Sequence, residues 1–179
     1  MLNALCDTMK NLSLFCIIFG GALLTSGSPS LKAAPESGKV TVAVGDVKGI
    51  TEPGGAAVAI QRGDTVAVGT TILTGPESRA VVVITPRSAI RIAENSEVVI
   101  ETVDETASPA DVTINLKEGS LGALLKPNAA TELDFKVRTP SGVAAARGTF
   151  YSVAVKDGKG YAQVKEGRLE IIPESAEEE

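Results

Sequence analysis

Side chains that could carry out a reaction are scarce in this sequence. The chain has no histidine, and its two cysteines, Cys6 and Cys16, lie near the N-terminus. A histidine-based triad is impossible, and we expect no thiol nucleophile, zinc site or disulfide in the remainder of the chain. A Ser–Lys or carboxylate pair is compatible with the composition, but no recognisable catalytic spacing or calcium-loop pattern occurs. We therefore expect no enzyme activity, no metal site and no cofactor.

Arg147 is the residue whose role, structural or binding, the sequence leaves most open. It follows a run of small residues, and Gly148 and Thr149 then lead into an alternating strand. Gly148 in this position indicates a close backbone approach or an unusual backbone angle. Arg147 either ties backbone carbonyls or a carboxylate together inside the fold, or it binds an anionic ligand or partner. Both hypotheses are compatible with the sequence.

The charge and composition of the chain narrow the possible partners. The net charge is −5 and the pI is about 4.9, which argues against binding to nucleic acid or to an anionic membrane surface. Aromatic residues make up 3% of the chain and tryptophan is absent. A core of small and β-branched residues is typical of closely packed sheets.

The N-terminus has the pattern of an export signal. The apolar run from Leu12 to Leu24 is followed by small and polar residues. It is shorter than the roughly 20 residues that cross a membrane, and it fits the apolar region of a signal peptide. We predict a signal peptide over 1–34, cleaved between 27 and 34, and we hypothesise that Met9 is the true start, because it gives a more basic N-terminus. The protein would then be periplasmic or secreted, and would touch the membrane only if this segment stayed uncleaved.

The remaining chain reads as a series of short strands separated by turns. We predict one β-domain over 39–173 and a frayed acidic tail over 174–179. The most apolar run, 79–85, is expected to be buried on both faces. The strands are predicted at 39–46, 57–61, 66–68, 71–73, 79–85, 89–92, 97–103, 111–116, 119–125, 135–138, 161–164 and 167–172. This pattern is typical of a sandwich, a barrel or a solenoid.

Three glycines follow similar strand endings, in the order apolar, polar, charged, glycine. They are Gly63, Gly119 and Gly167, and each could turn a tight corner with positive φ. The recurrence favours stacked coils, although ordinary β-turn chemistry accounts for it as well. The ends of such a fold either need a cap or recruit a partner strand. Lys159 and Lys165, with the acidic tail, either guard the C-terminal end or mark it as an interaction surface.

The segment from Arg138 to Val155 resembles the core signature of the FecR domain family. The resemblance extends over about Gly45 to Ile172. It implies an all-β fold of many short strands, β-solenoid-like or roll-like, with a β-sandwich as the alternative, and a role in binding. We expect the motif residues to be mainly structural. They are Thr139, Pro140, Gly142, Arg147, Gly148, Thr149, Phe150, Glu166 and Gly167.

The resemblance is to a family that includes the extracytoplasmic domains of sigma-factor regulators. Those regulators consist of cytoplasmic helices, one membrane helix and a periplasmic domain. This sequence shows only a signal and the domain, so the regulatory role is not carried over. The leading hypothesis is a non-enzymatic extracytoplasmic binding or scaffold module for an unknown protein or envelope polymer. The alternative is a sensory periplasmic component of a sigma-factor or transporter signalling system.

Overall fold

Apolar residues at every second position form a curled sheet in the computed structural model, with 14 strands among the described residues. The structure describes residues 37–126, 133–146, 150–166 and 169–173. The predicted signal segment and acidic tail lie outside these residues. The strands are β1 Ser37–Val44, β2 Val47–Ile50, β3 Val58–Ala59, β4 Thr65–Ala67, β5 Thr71–Thr74, β6 Arg79–Thr85, β7 Ser88–Ile92, β8 Ser96–Asp104, β9 Ala110–Leu125, β10 Leu133–Thr139, β11 Gly142–Ala146, β12 Phe150–Lys156, β13 Lys159–Glu166 and β14 Leu169–Pro173.

The long strand β9 divides the sheet into two halves that fold towards each other. Half A has the strand order β4-β1-β6-β7-β9-β12-β13, and half B has the order β3-β2-β5-β8-β9-β10-β11-β14. The described pairs are antiparallel except for the parallel pair β9–β10. The inner faces of both halves form one core, in which the ring of Phe135 in half B meets that of Tyr151 in half A edge-on, at 6.4 Å between centroids.

The chain crosses from one half to the other at bends that bind to their neighbours. Between β1 and β2, the amide of Asp46 donates to Ser78 Oγ at 2.8 Å. In the middle of β9, the amide of Ser120 donates to Ser96 Oγ at 3.0 Å. Ser78 and Ser96 are each only 3% exposed, so the hydrogen bonds that join neighbouring bends are buried.

Two of the predicted corner glycines lie where the chain crosses between the halves. Gly119 bends β9 with φ +90°, and a Cβ there would lie 2.6 Å from the carbonyl oxygen of Asn95. Gly63 has φ +100° and connects β3 in half B to β4 in half A. Gly167 lies outside the described residues.

The expected all-β fold of many short strands is confirmed, and the curled sheet has a roll-like form. The strand predicted at 79–85 has the observed bounds of β6, but its expected burial on both faces is wrong. Ala80, Val82 and Ile84 are buried, whereas Val81 and Val83 are only half-buried. The outer face of this antiparallel sheet meets solvent. The segments 111–116 and 119–125 are one strand, and the sequence analysis missed β2.

One end of the roll is covered by the chain itself, and we call it the capped end. Its edge strands β3 and β4 are short, and residues 61–64 cross between them. The amide of Gly63 donates to the carbonyl of Val40 at 2.8 Å, and the amide of Ile60 donates to the carbonyl of Val47 at 2.8 Å. Ile60 packs against the core and Val66 is only 4% exposed. This crossing segment therefore covers part of the core at the capped end, while Val58 on β3, which lies opposite the buried Gly49, stays 66% exposed.

Within the described part of the chain, no helix is long and apolar enough to cross a membrane.

Candidate functional site

The other end of the roll begins at the turn between β10 and β11, and we call it the open end. Thr139 Oγ1 donates to the carbonyl of Gly142 at 2.8 Å across this turn. Ser141 Oγ accepts from the amide of Gly160 at 2.7 Å, which ties the turn to the hairpin of β12 and β13. Gly142 has φ +142°, and a Cβ there would overlap the carbonyl oxygen of Ile172 on β14. The turn therefore requires glycine both for its conformation and for the approach of β14.

A groove of about 360 Å³ opens between strands β11 and β14 on one side and β12 and β13 on the other. We call it the open-end groove, and its apolar lining includes Ala144, Val153, Ala162 and Ile171. Ile171 pairs with Ala144, so both side chains lie on the inner face of half B. Ala144 is 4% exposed, whereas Ile171 is 63% exposed. The groove is therefore a part of the core surface that the described residues leave uncovered.

The inner face of half A shows the same exposure at this end. Val164 lies opposite the buried Tyr151, yet Val164 is 36% exposed. Lys159 and Tyr161 are the ionisable residues at the edge of the groove, and their pairing on β13 places their side chains on the outer face of half A. Such a lining can bind an apolar surface, and it lacks the pair of carboxyl groups that acid–base hydrolysis needs.

A second surface lies on the outer face of half B, where two shallow depressions of about 520 and 340 Å³ share Glu101, Asn115 and Lys117. Lys117 Nζ lies 2.7 Å from Glu97, and the side-chain amide of Asn115 donates to Glu101 at 2.7 Å. Arg138 approaches Glu101 at 4.0 Å. These opposite charges neutralise one another within the sheet, so the surface offers a charged ligand little net attraction.

The three described residues with a shifted pKa do not line the open-end groove, and each shift has a structural cause. Hydrogen bonds from the hydroxyl and amide of Thr106, and from the amide of Ala107, lower the pKa of Asp104 in the loop after β8. A hydrogen bond to Asp134 is the main cause that raises the pKa of Lys136. Burial raises the pKa of Tyr151. Each shift keeps its group in the ordinary charge state at neutral pH, so none prepares a group for proton transfer.

The predicted motif residues do not converge on one site among the described residues. Thr139 and Gly142 border the open-end groove, whereas the exposed Pro140 lies beside the second surface. Phe150 is 42% exposed on the outer face of half A, with Lys165 Nζ 5.6 Å from its ring centroid.

The remaining motif residues lie at the end of β13 or outside the described residues. Glu166 is the last residue of β13. Arg147, Gly148, Thr149 and Gly167 lie outside the described residues. Both hypotheses for Arg147 and the structural role of the motif therefore stay predictions.

The sequence analysis missed the apolar residues that line the open-end groove. Ala144, Val153, Ala162 and Ile171 come from four different strands, and only their pairing brings them together. The sequence pointed to this end of the fold only through Lys159 and Lys165 of β13, which were predicted either to guard the C-terminal end or to mark it as an interaction surface. Among the described residues, no cluster of histidine, cysteine or carboxylate side chains could hold a metal ion.

Comparison with known proteins gives one match. A family model described as FecR protein matches residues 70–170, which is 101 of the 179 residues. This range includes β5 to β13 and the residues that line the open-end groove except Ile171, while residues 45–69 and 171–172 of the noted resemblance lie outside it. No curated protein and no solved structure matches the chain significantly.

Proposed function

Because the chain belongs to the FecR protein family, we propose that it is a non-enzymatic extracytoplasmic binding module. The family is associated with signalling systems, in which it is extracytoplasmic. The specific role proposed for this chain is to hold a partner, either a protein or an envelope polymer, at the open-end groove.

The observation that carries this proposal is the exposure of core positions at the open end. Ile171 lies on the inner face of the sheet and is 63% exposed. Apolar surface at such a position is normally covered, and burying it on a partner is favourable by about 25 cal/mol per Å². At the capped end the chain itself covers Val66, which is 4% exposed, although Val58 on β3 stays 66% exposed.

The proposal of binding without catalysis rests on the chemistry of the groove lining. Lys159 and Tyr161 are its ionisable residues, and the rest is apolar or carries hydroxyl groups. A site of this kind supplies no carboxylate to accept a proton from water. The absence of histidine from the whole chain removes the most common general base.

The export of the chain is a further part of the proposal, supported by the apolar run from Leu12 to Leu24. Sequencing the N-terminus of the protein purified from its own cells tests this part. A mature chain that starts between 28 and 35 is expected. A chain that still begins at Met1 or Met9 and stays in the cytoplasm would contradict it.

Capture of envelope components by the purified protein tests the binding function. The test variant is Ile171→Glu at the open end, and the matched control is Val58→Glu on β3, where Val58 is 66% exposed. We expect wild type and Val58→Glu to retain the same component and Ile171→Glu to lose it, with circular dichroism unchanged. Equal retention by both variants, or no retained component, would refute binding at the open end.

A sensory role is the second candidate function, and membership of this family favours it. In that case the retained component would be a membrane protein of a signalling system. Deleting the chain would then change transcription in response to an external stimulus. A soluble protein or a polysaccharide as the retained component, with unchanged transcription, would exclude the sensory role.

A further inference from the structure

The two edge strands at the open end have free edges among the described strands. β13 pairs with β12 and β14 pairs with β11, and neither has a described partner on its other side. An edge strand presents backbone N–H and C=O groups that can pair with another strand. β13 spans Lys159–Glu166, whereas the edge strands β3 and β4 at the capped end span only Val58–Ala59 and Thr65–Ala67. The open end therefore has the longer pairing edge.

The two faces of β13 differ in chemistry. Gly160 and Val164 lie opposite the buried Val155 and Tyr151, so they belong to the inner face with Ala162. Lys159 and Tyr161 lie on the outer face, and Lys165 Nζ also lies there, over the ring of Phe150. A strand added beside β13 would thus place alternate side chains in the apolar groove and the others beside two lysines.

The lysines select against a second copy of this chain. An antiparallel pairing of two β13 strands centred on Ala162 would place Lys159 of one copy opposite Lys165 of the other, because both are equally distant from Ala162. Like charges opposite each other destabilise strand pairing, and lysine on an edge strand is a common defence against self-association. The same two lysines would attract a strand that carries acidic residues.

We propose that β13 accepts an extended strand from a partner protein, with aliphatic residues on its inner face and acidic residues on its outer face. This inference rests on the proposed binding function and adds the partner class and the mode of pairing. Main-chain hydrogen bonds along β13 hold the strand, and its aliphatic side chains fill the open-end groove beside Ile171. The acidic side chains lie next to Lys159 and Lys165.

Synthetic strand peptides test the proposal directly. The probe is the acetylated, amidated peptide Glu-Val-Thr-Val-Glu-Val-Thr-Val, compared with a version in which lysine replaces glutamate. A third peptide carries N-methyl groups on alternate backbone amides. Binding to the full, purified chain is measured by calorimetry, and amide exchange of β13 by NMR. We expect the lysine and N-methyl peptides to bind at least tenfold more weakly, and bound probe to slow exchange of β13 amides at least tenfold.

Protein variants separate charge from pairing. Lys159→Glu combined with Lys165→Glu should reverse the preference, so that the lysine peptide binds better than the glutamate peptide. Ile171→Glu should weaken the probe at least tenfold, and Val58→Glu should leave it unchanged. Equal binding of all three peptides, protection of amides outside β13, or a dimer of the free chain that pairs through β13 would each overturn the proposal.

The outcomes also distinguish this inference from the binding function. If no strand peptide binds but envelope capture is still lost in Ile171→Glu, the groove binds something other than a strand, and only this inference fails. If capture is absent as well, the binding function fails with it.

Discussion

The two ends of the roll solve the same problem in different ways. At the capped end, β3, the crossing residues 61–64 and β4 lead from half B to half A, and Val66 on β4 is 4% exposed. At the open end, Ile171 occupies an inner-face position but remains 63% exposed. The capped end is covered by a segment of about ten residues that forms only short pairings, and this cover is incomplete, because Val58 on β3 also faces inward and is 66% exposed. The two ends therefore differ in the 360 Å³ groove and the longer edge strands of the open end rather than in exposure alone.

The largest expected effect comes from placing the same charge at each end. Val66→Glu buries a carboxylate at the capped end and should lower the free energy of unfolding by about 3 kcal/mol or more. Ile171→Glu leaves its carboxylate in solvent and should cost less than about 1 kcal/mol. Urea unfolding of both variants and wild type measures the difference.

The comparison fails if the two substitutions cost the same. An equal cost at Ile171 would mean that part of the chain outside the described residues already covers the open end. If Val66→Glu does not fold, Val66→Ala and Ile171→Ala give a milder pair with the same expected order, because only the first leaves a cavity in a closed core.

A smaller effect is expected from glycines at the two ends. Gly142→Ala at the open end would place a methyl group against the carbonyl of Ile172, and should cost about 2 kcal/mol and loosen β14. Gly63→Ala at the capped end meets nothing within 4 Å, so only its φ of +100° is unfavourable, and about 1 kcal/mol is expected.

Urea unfolding gives the two costs, and exchange of β14 amides shows whether that strand detaches in Gly142→Ala. The same cost in both variants, with β14 protected, would contradict the close approach of β11 and β14 at the open end.

The sequence predicted the β-strands and their corners better than it predicted the candidate binding site. The continuous apolar run over 79–85 predicted β6 with its observed bounds, and the φ of Gly119 agrees with its predicted role as a corner. β2 was missed because Gly49 weakens its pattern over only four residues. The open-end groove could not be predicted, since Ala144, Val153, Ala162 and Ile171 meet only after pairing between distant strands. Period-two patterns report which face is inner, but they do not report which end of the core is left uncovered.

Two buried hydroxyl groups, one near each end of the roll, should have the same effect on stability. Thr70 Oγ1 follows β4 near the capped end, and the Tyr151 hydroxyl lies on β12 next to the open end. Each is buried without a hydrogen-bond partner within the described structure. Thr70→Val and Tyr151→Phe remove these hydroxyls, and each should raise the free energy of unfolding by about 1 kcal/mol in urea. A loss of stability in either variant would mean that its hydroxyl is hydrogen-bonded after all.

The pH dependence separates the two hydroxyls further and has the smallest expected effect. Burial raises the pKa of Tyr151 above the ordinary value of a tyrosine, about 10, so the folded protein keeps the phenol protonated while the unfolded chain ionises. The stabilising contribution is fully present below pH 10.0 and is lost as the pH rises further. Tyr151→Phe should therefore lose less stability than wild type between about pH 10 and 11, whereas Thr70→Val should follow wild type. Identical slopes for wild type and Tyr151→Phe would show that solvent reaches the phenol through the open end.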